Sequence, residues 1–338
     1  MIVTFGEIMM RLAPTGYLRM SQTRQLEMTF GGGEANVAVS LANYGKKARF
    51  VTGLPDNDIG STCLGELRRW NVDTSEIVIR PGRMGIYFCE KGASQRASKV
   101  TYDRADSVVS KLDAADFDWE KILEGAEWFH FTGITPALSD SMAEATLAAC
   151  KVAKAKGIPV SCDLNYRKKL WTREKAGRVM AELMPYVDLL IANEADAADV
   201  FGIHAAESDV TKGEISVDGY KSVAQQLMAR FPISKVAITL RESLSASENN
   251  WSAMLYDGQD LYVSKKYNMK IVDRVGGGDS FGGGLIYGLL EGYDLQAALE
   301  FAVAASCLKH SIEGDFNAVS VAEVKALAGG DGSGRVSR

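Results

Sequence analysis

Basic runs, paired cysteines, clustered histidines and long apolar stretches are all missing from this sequence. Its 338 residues carry 38 Lys and Arg against 43 Asp and Glu, a formal net charge of −5. A weakly acidic chain without a basic run offers no footprint for general nucleic-acid binding, so any anionic ligand must be held by a few placed cations. The five cysteines, Cys63, Cys89, Cys150, Cys162 and Cys307, are odd in number and scattered, with no CxxC pair. That pattern argues for reduced thiols and against a disulfide frame or a zinc site. The three histidines, His130, His204 and His310, lie far apart, and His130 within Trp128-Phe129-His130-Phe131 reads as a packed strand residue rather than a ligand. No apolar run reaches membrane-spanning length, and residues 1–7 lack the basic region and apolar core of a secretory leader. The expectation is a cytoplasmic protein without membrane or nucleic-acid partners. No GxxxxGK[ST] occurs, and no GxGxxG follows the first strand, so neither a P-loop nor a nicotinamide-binding fold is supported.

What is present is enough apolar material, 46%, for a large core. Strand-like runs at 2–7, 48–54, 128–133, 158–165, 188–192 and 235–240 alternate with helical patterns at 35–44, 59–70, 139–156 and 218–230. Ser139-Asp140 is a capping signal, and Tyr220, Val223, Ala224 and Leu227 recur at one-face helical spacing. The alternation predicts an α/β fold, a mostly parallel sheet flanked by helices. Residues 11–30 and 83–104 break the rhythm. Strands at 85–91 and 99–104, joined by Gly92-Ala93-Ser94-Gln95, lack an intervening helix. They fit a small antiparallel sheet projecting as a lid; an edge hairpin of the main sheet fits as well. A further hairpin is expected at 252–266, turning near Asp257-Gly258-Gln259. The expected division is a core of residues 1–10, 31–83 and 105–328, a β lid of 11–30 and 84–104, and a disordered tail of 329–338.

Two glycine clusters carry chemistry. In Asp273-Arg274-Val275-Gly276-Gly277-Gly278-Asp279-Ser280-Phe281-Gly282-Gly283-Gly284, consecutive glycines at a helix start can turn backbone N–H groups toward one point, and the helix end adds partial positive charge. Such a pocket suits phosphate oxygens and the charge that develops in phosphoryl transfer. Asp279 stands where a carboxylate can take a proton from an attacking hydroxyl. The plainer alternative makes Asp279 a helix cap. Gly282–Gly284 cost about 1 kcal/mol each relative to alanine, a cost that close approach of another backbone or of a nucleotide explains. The other cluster, Phe30-Gly31-Gly32-Gly33-Glu34-Ala35-Asn36, can bring backbone N–H groups and an amide to sugar hydroxyls.

Together the clusters resemble the ribokinase, or PfkB, carbohydrate-kinase family, from residue 2 to about 328. The Gly-Gly…Asn turn, the Gly53…Asp56…Asp58-Ile59-Gly60 segment and the Gly-Gly-Gly-Asp run appear in that family's order. The resemblance implies a Rossmann-like core with a β lid, ATP with Mg²⁺, and transfer of a phosphoryl group to a sugar hydroxyl. Asp279 would be the base, Gly276, Gly277 and Gly278 the anion hole. It also implies a monovalent cation such as K⁺, held by Asp273 and the Val275 carbonyl. Asn193-Glu194 matches the family's step near ATP, with Glu194 reaching Mg²⁺ through water. Asn165, Arg167, Thr239, Arg241, Gly276, Gly278 and Ala302 would lie on the nucleotide side, although the usual glycine-rich turn is replaced by residues 239–245. Arg274 stands where the family has a small residue or Pro, outside the expected anion hole. The segment 312–317 would close the adenine side or the cation site.

Within that family the chain is most similar to 2-keto-3-deoxygluconate kinases, through Gly85-Ile86-Tyr87, Tyr102-Asp103-Arg104, Gly133-Ile134-Thr135-Pro136-Ala137-Leu138 and Asp163-Leu164-Asn165-Tyr166-Arg167. This places Gly32, Gly33, Asn36, Tyr87, Tyr102, Arg104, Ile134 and Arg167 around the sugar. A sugar-acid carboxylate needs a cation, and arginine offers a fixed fork of donors. Arg104 and Arg167 are the candidates; a solvated lid charge and a solvated basic turn beside Lys168-Lys169 are the alternatives. A neutral ketose such as fructose, or an idle sensor on the same fold, are the competing functions. The projecting lid implies pairing of two copies through it.

Overall fold

The computed structural model describes residues 1–193, 195–205 and 217–332. Six parallel strands run to one edge of a nine-stranded sheet: in spatial order Lys235–Ser243, Leu189–Asn193, Val160–Asp163, Trp128–Thr132, Ile2–Phe5 and, at the edge, Ala48–Val51. Glu248–Tyr256 adds antiparallel to Lys235–Ser243 and pairs in turn with Leu261–Val263 and Tyr267–Lys270. The inner strands are covered on both faces, so that even Thr4, His130 and Ser161 are buried, and their two-residue period sorts the side chains between two cores. Val3, Leu190 and Val236 pack with the helices Asp140–Ala155, Arg173–Leu183 and Val217–Arg230. Ile2, Leu189 and Ala237 pack on the other face with Gly33–Asn43, Gly277–Leu290 and Leu295–Lys309.

Local signals behave as their chemistry requires. Ser139 Oγ accepts from Met142 N at 3.2 Å and starts Asp140–Ala155. The face bearing Tyr220, Val223, Ala224 and Leu227 is buried. Asp257 Oδ1 accepts from the Gln259 and Asp260 amides and makes the expected turn. The glycines inside Gly277–Leu290 answer to helix packing: a Cβ on Gly284 would sit 2.9 Å from the Ala302 Cα of the neighbouring helix.

A separate four-stranded sheet is built from two hairpins, Met9–Ala13 with Glu27–Gly31 and Ile86–Glu90 with Lys99–Asp103. The hairpins meet through Met9–Ala13 and Ile86–Glu90, which run parallel. The sheet is therefore mixed where an antiparallel one was expected: two hairpins laid side by side in the same orientation leave their inner strands pointing the same way. Gly53–Pro55 and Val78–Arg80 form a small parallel pair, so the expected strand 48–54 is divided at Thr52. Lys235–Ser243 runs past residue 240 and forms a hairpin with Glu248–Tyr256. Residues 329–332, expected to be disordered, close the last helix, with Gly330 N donating to Leu327 O and Asp331 N to Ala326 O, each at 3.0 Å; the rest of the expected tail lies outside the described residues. Among the described residues no helix is long and apolar enough to cross a membrane.

Candidate active site

A cleft of about 390 Å³ opens where the parallel strands end. Its floor comes from residues at or beyond the C-terminal ends of strands: Ile134 after Trp128–Thr132, Asn165 and Arg167 after Val160–Asp163, and Asn193 closing Leu189–Asn193. This is the crevice in which open α/β sheets bind ligands. Tyr87, Tyr102 and Arg104 of the four-stranded sheet face it from the other side.

Gly276 caps the helix Gly277–Leu290 in the left-handed region, φ 82°, and a Cβ there would run into the Asp315 carbonyl. Only glycine makes this entry, and it leaves Gly276, Gly277 and Gly278 along the cleft wall at a helix N-terminus. Asp279 is not the cap. Its Oδ2 accepts from Asn36 Nδ2 at 2.6 Å, and it joins the two glycine clusters across 243 positions of sequence. Burial pushes its carboxyl up to about 6; Asp315 adds to this, while the Asn36 hydrogen bond, Arg167 and Lys309 oppose it. A half-buried carboxylate with such a value is suited to accept a proton near neutral pH.

On the first cluster, Gly32 N donates to Asn36 Oδ1 at 3.3 Å, and Gly33 lies against Asp279. Asn36 is thus committed at both ends of its amide. Glu34 anchors the turn from below. It accepts from Thr132 N, Thr132 Oγ1 and Thr135 Oγ1 at 2.9, 2.8 and 2.6 Å, and burial pushes it up to about 7. The Tyr87 ring lines the cleft while its hydroxyl donates to Asp315 at 2.6 Å. The Tyr102 ring lies near Arg104, at 5.5 Å, and Lys169, at 5.7 Å. Arg104 donates through Nε and Nη2 to Glu7. Arg167 is exposed to the cleft. Its Nη1 donates to Tyr166 O at 3.4 Å, and it forms no ion pair among the described residues.

On the far side, Thr239, Arg241 and Asn193 line the same cleft. Asn193 Oδ1 also accepts from the Ala195 and Asp196 amides, so it holds the turn into the helix Asp196–Phe201 and borders the cleft at once. Asn165 is held at φ 38° with its amide donating to Asp163 Oδ1. Asn249 Oδ1, Trp251 Nε1 and Arg274 Nε are buried without a hydrogen-bond partner among the described residues, and all three side chains border the cleft. Orphaned polar atoms on one wall fit a ligand rich in nitrogen and oxygen. Ala302 does not reach the cleft; it is fully buried against Gly284. Glu194 lies outside the described residues.

This geometry has a counterpart in known proteins: residues 1–319 match the pfkB family carbohydrate kinase profile. The chain belongs to the pfkB carbohydrate kinase family. A 2-dehydro-3-deoxygalactonokinase of Haloferax volcanii is 33% identical over 332 residues, 98% of this chain and 97% of its own. The crystal structure of a 2-dehydro-3-deoxygluconokinase from Thermotoga maritima is 51% identical, with a TM-score of 0.94 and coverage of 97% of this chain and 99% of that one. A PfkB family carbohydrate kinase from Listeria grayi is 35% identical at a TM-score of 0.90, covering 97% and 99% of the two chains.

In this pfkB kinase Asp273, expected to hold a monovalent cation with the Val275 carbonyl, already meets hydrogen-bond donors. Asp273 Oδ2 accepts from Arg11 Nη2 at 2.5 Å and from Gly314 N at 3.2 Å, and Oδ1 accepts from Val275 N at 3.1 Å. Val275 does line the cleft. Three residues of the kinase that bear on the cleft escaped the sequence reading. Asp163 borders it and is pushed well above the carboxylate range by burial, then by Asp196 and Asp279. Asp315 holds Tyr87 and Arg11. Arg274 borders the cleft, although it was expected outside the anion hole, and donates to Ala246 O at 2.9 Å. The Asp163-Leu164-Asn165 run was a findable signal, because a carboxylate ends a strand there. Asp315 had none.

Proposed function

We propose that this kinase transfers the γ-phosphoryl group of ATP to the 6-hydroxyl of 2-keto-3-deoxygluconate (2-dehydro-3-deoxygluconate). The observation that carries the reading is Arg167. It is a cleft-facing guanidinium with no carboxylate ion-paired to it among the described residues, in the cleft that Asp279 also lines. Its guanidinium fork is open to a sugar-acid carboxylate, since Asp279 and Asp163 act on it only as nearby charges and not as ion-pair partners. The names of the Thermotoga maritima and Haloferax volcanii proteins support an acidic keto sugar and leave the C4 epimer to experiment.

In this reading Asp279 takes the proton of the attacking hydroxyl while Asn36 holds its carboxylate toward the sugar. The amides of Gly276, Gly277 and Gly278 receive the transferring phosphoryl group. The nucleotide lies along Asn193, Thr239 and Arg241, with the orphaned Asn249 and Trp251 polar atoms as its partners. Mg²⁺, when bound, neutralises phosphate charge and orients the group in flight. Among the described residues no group of three or more His, Cys, Asp or Glu could hold a metal, so the ion would be carried mainly by the phosphates. The four-stranded sheet acts as a lid that excludes water, and its exposed Leu18, Leu26 and Met28 favour pairing with a second copy.

Fructose is the second reading, favoured by the Arg104–Glu7 pair, which removes one of the two expected carboxylate receptors. An ADP-release assay over 2-keto-3-deoxygluconate, its C4 epimer, fructose and ribose decides between them. The expected result is a kcat/KM for the keto acid about tenfold or more above that for fructose. A preference for fructose would overturn the acid-sugar reading and leave phosphoryl transfer standing.

A further inference from the structure

Behind the Gly276 turn lies a buried cluster of two cations and two anions. Arg11 spans the anions, donating through Nη2 to Asp273 at 2.5 Å and through Nη1 to Asp315 Oδ1 at 2.8 Å. Both oxygens of Asp315 are also within 2.6 Å of the Tyr87 hydroxyl. Lys309, 0% exposed, is the other cation. Its stem passes within 3.3 Å of where a Gly276 Cβ would stand, and Nζ donates to Ile312 O at 3.1 Å. Burial pulls its pKa below the ordinary lysine value, with Arg11 acting in the same sense, while the carboxylates of Asp273, Asp315 and Asp279 oppose the shift and favour its charge.

An alkali ion is bound by collecting carboxylate and carbonyl oxygens. Here the Asp273 and Asp315 oxygens already accept from N–H and O–H donors, and the Ile312 carbonyl accepts from Lys309. Charge is balanced as well, since Arg11 and Lys309 match Asp273 and Asp315. An added cation would meet a hydrogen-bonded cluster whose two carboxylates are already matched by two side-chain cations, and would compete with the donors there. The need for positive potential behind the glycine loop remains, because charge develops on the phosphoryl oxygens in front of it.

We infer that Arg11 and Lys309 are a built-in replacement for an exchangeable monovalent cation, with Lys309 the positioning residue whose ammonium backs the glycine loop. Lys309 touches neither sugar nor nucleotide and acts through the Gly276 turn. The inference rests on phosphoryl transfer at this loop and not on which sugar is the acceptor.

The test compares the enzyme in potassium, sodium and tetramethylammonium chlorides at one ionic strength, using any sugar that supports turnover. Equal kcat in all three salts is expected. Stimulation of the wild type by K⁺ of about tenfold or more would overturn the inference. The melting temperature in the same salts is a readout free of activity, and a K⁺-specific rise would also overturn it. Lys309→Met leaves one buried carboxylate unbalanced and opens space for an ion. Its kcat is expected to fall roughly tenfold or more and to recover with K⁺ or NH₄⁺ but not with tetramethylammonium. A loss that no cation restores, or full activity in every salt, would remove Lys309 from the role. Failure of every sugar to turn over would count against the proposed function instead, while the melting comparison would still decide the cation question.

Discussion

Arg104 donates to one oxygen of Glu7 through both Nε and Nη2, while Ser107 Oγ donates to the other Glu7 oxygen at 2.6 Å. Glu7 is buried, so the guanidinium holds the four-stranded sheet to the core and its charge is already met. Arg167, across the cleft, has no such partner among the described residues. Two arginines that look equivalent in sequence therefore divide into a structural one and one available to a ligand.

Arg167→Ala is expected to lower kcat/KM for 2-keto-3-deoxygluconate by roughly ten- to hundred-fold, the worth of one charge-assisted hydrogen bond. Turnover of fructose should change far less, and the melting temperature little. Arg104→Ala should instead lower the melting temperature, since a buried Glu7 left unpaired costs about 3–5 kcal/mol. Steady-state kinetics with both sugars, alongside thermal melts of both variants, would show the reverse pattern if Arg104 reads the carboxylate.

Asp279→Asn keeps the shape and the contact with Asn36 but removes the proton acceptor. A fall in kcat of about 10²–10⁴-fold is expected, with ATP affinity less affected. Stability should move the other way. The folded-state value of about 6 lies above the ordinary value of 3.8, so the stability Asp279 contributes is lost as pH rises from about 4 to about 6, and at neutral pH the ionised group destabilises the fold. Removing it should stabilise by up to about 3 kcal/mol. Urea unfolding at pH 7 reads this directly, and a variant that is both inactive and less stable would contradict the burial argument.

The acid limb of the rate profile should fall near pH 6, because Asp279 must be ionised to act. Below it kcat should drop about tenfold per pH unit. The groups facing Asp279 are Asn36, Arg167, Lys309 and the carboxyls of Asp315 and Asp163. Glu34 titrates close by, at about 7, but it meets Thr132 and Thr135 rather than the cleft. Glu34→Gln should therefore leave the limb in place. A limb that moves with Glu34→Gln would assign it to that residue.

The alternation of strands and helices was legible because each inner strand and each core helix carries its own periodicity, as the buried face of Val217–Arg230 shows. The glycine runs were legible because they are contiguous. What was hidden is what the fold alone brings together. Arg11 and Asp315 stand 304 positions apart, and nothing local to either foretells the pair. The family resemblance makes Asp273 a cation ligand, and only the three-dimensional structure shows its oxygens already engaged. The parallel joint between Met9–Ala13 and Ile86–Glu90 was missed for the same reason: a hairpin announces its own turn but not its neighbour.

The placement of Ile2–Phe5 bears on how the chain reaches this state. That strand sits between Ala48–Val51 and Trp128–Thr132, and both partners emerge later in synthesis than it does. Such distant pairings slow folding, since the intervening chain must be gathered before any ladder forms. Until Trp128–Thr132 arrives, one edge of Ile2–Phe5 is bare, with its backbone N–H and C=O groups unpaired. A nascent chain of intermediate length is thus the species most exposed to aggregation and most in need of a holding chaperone.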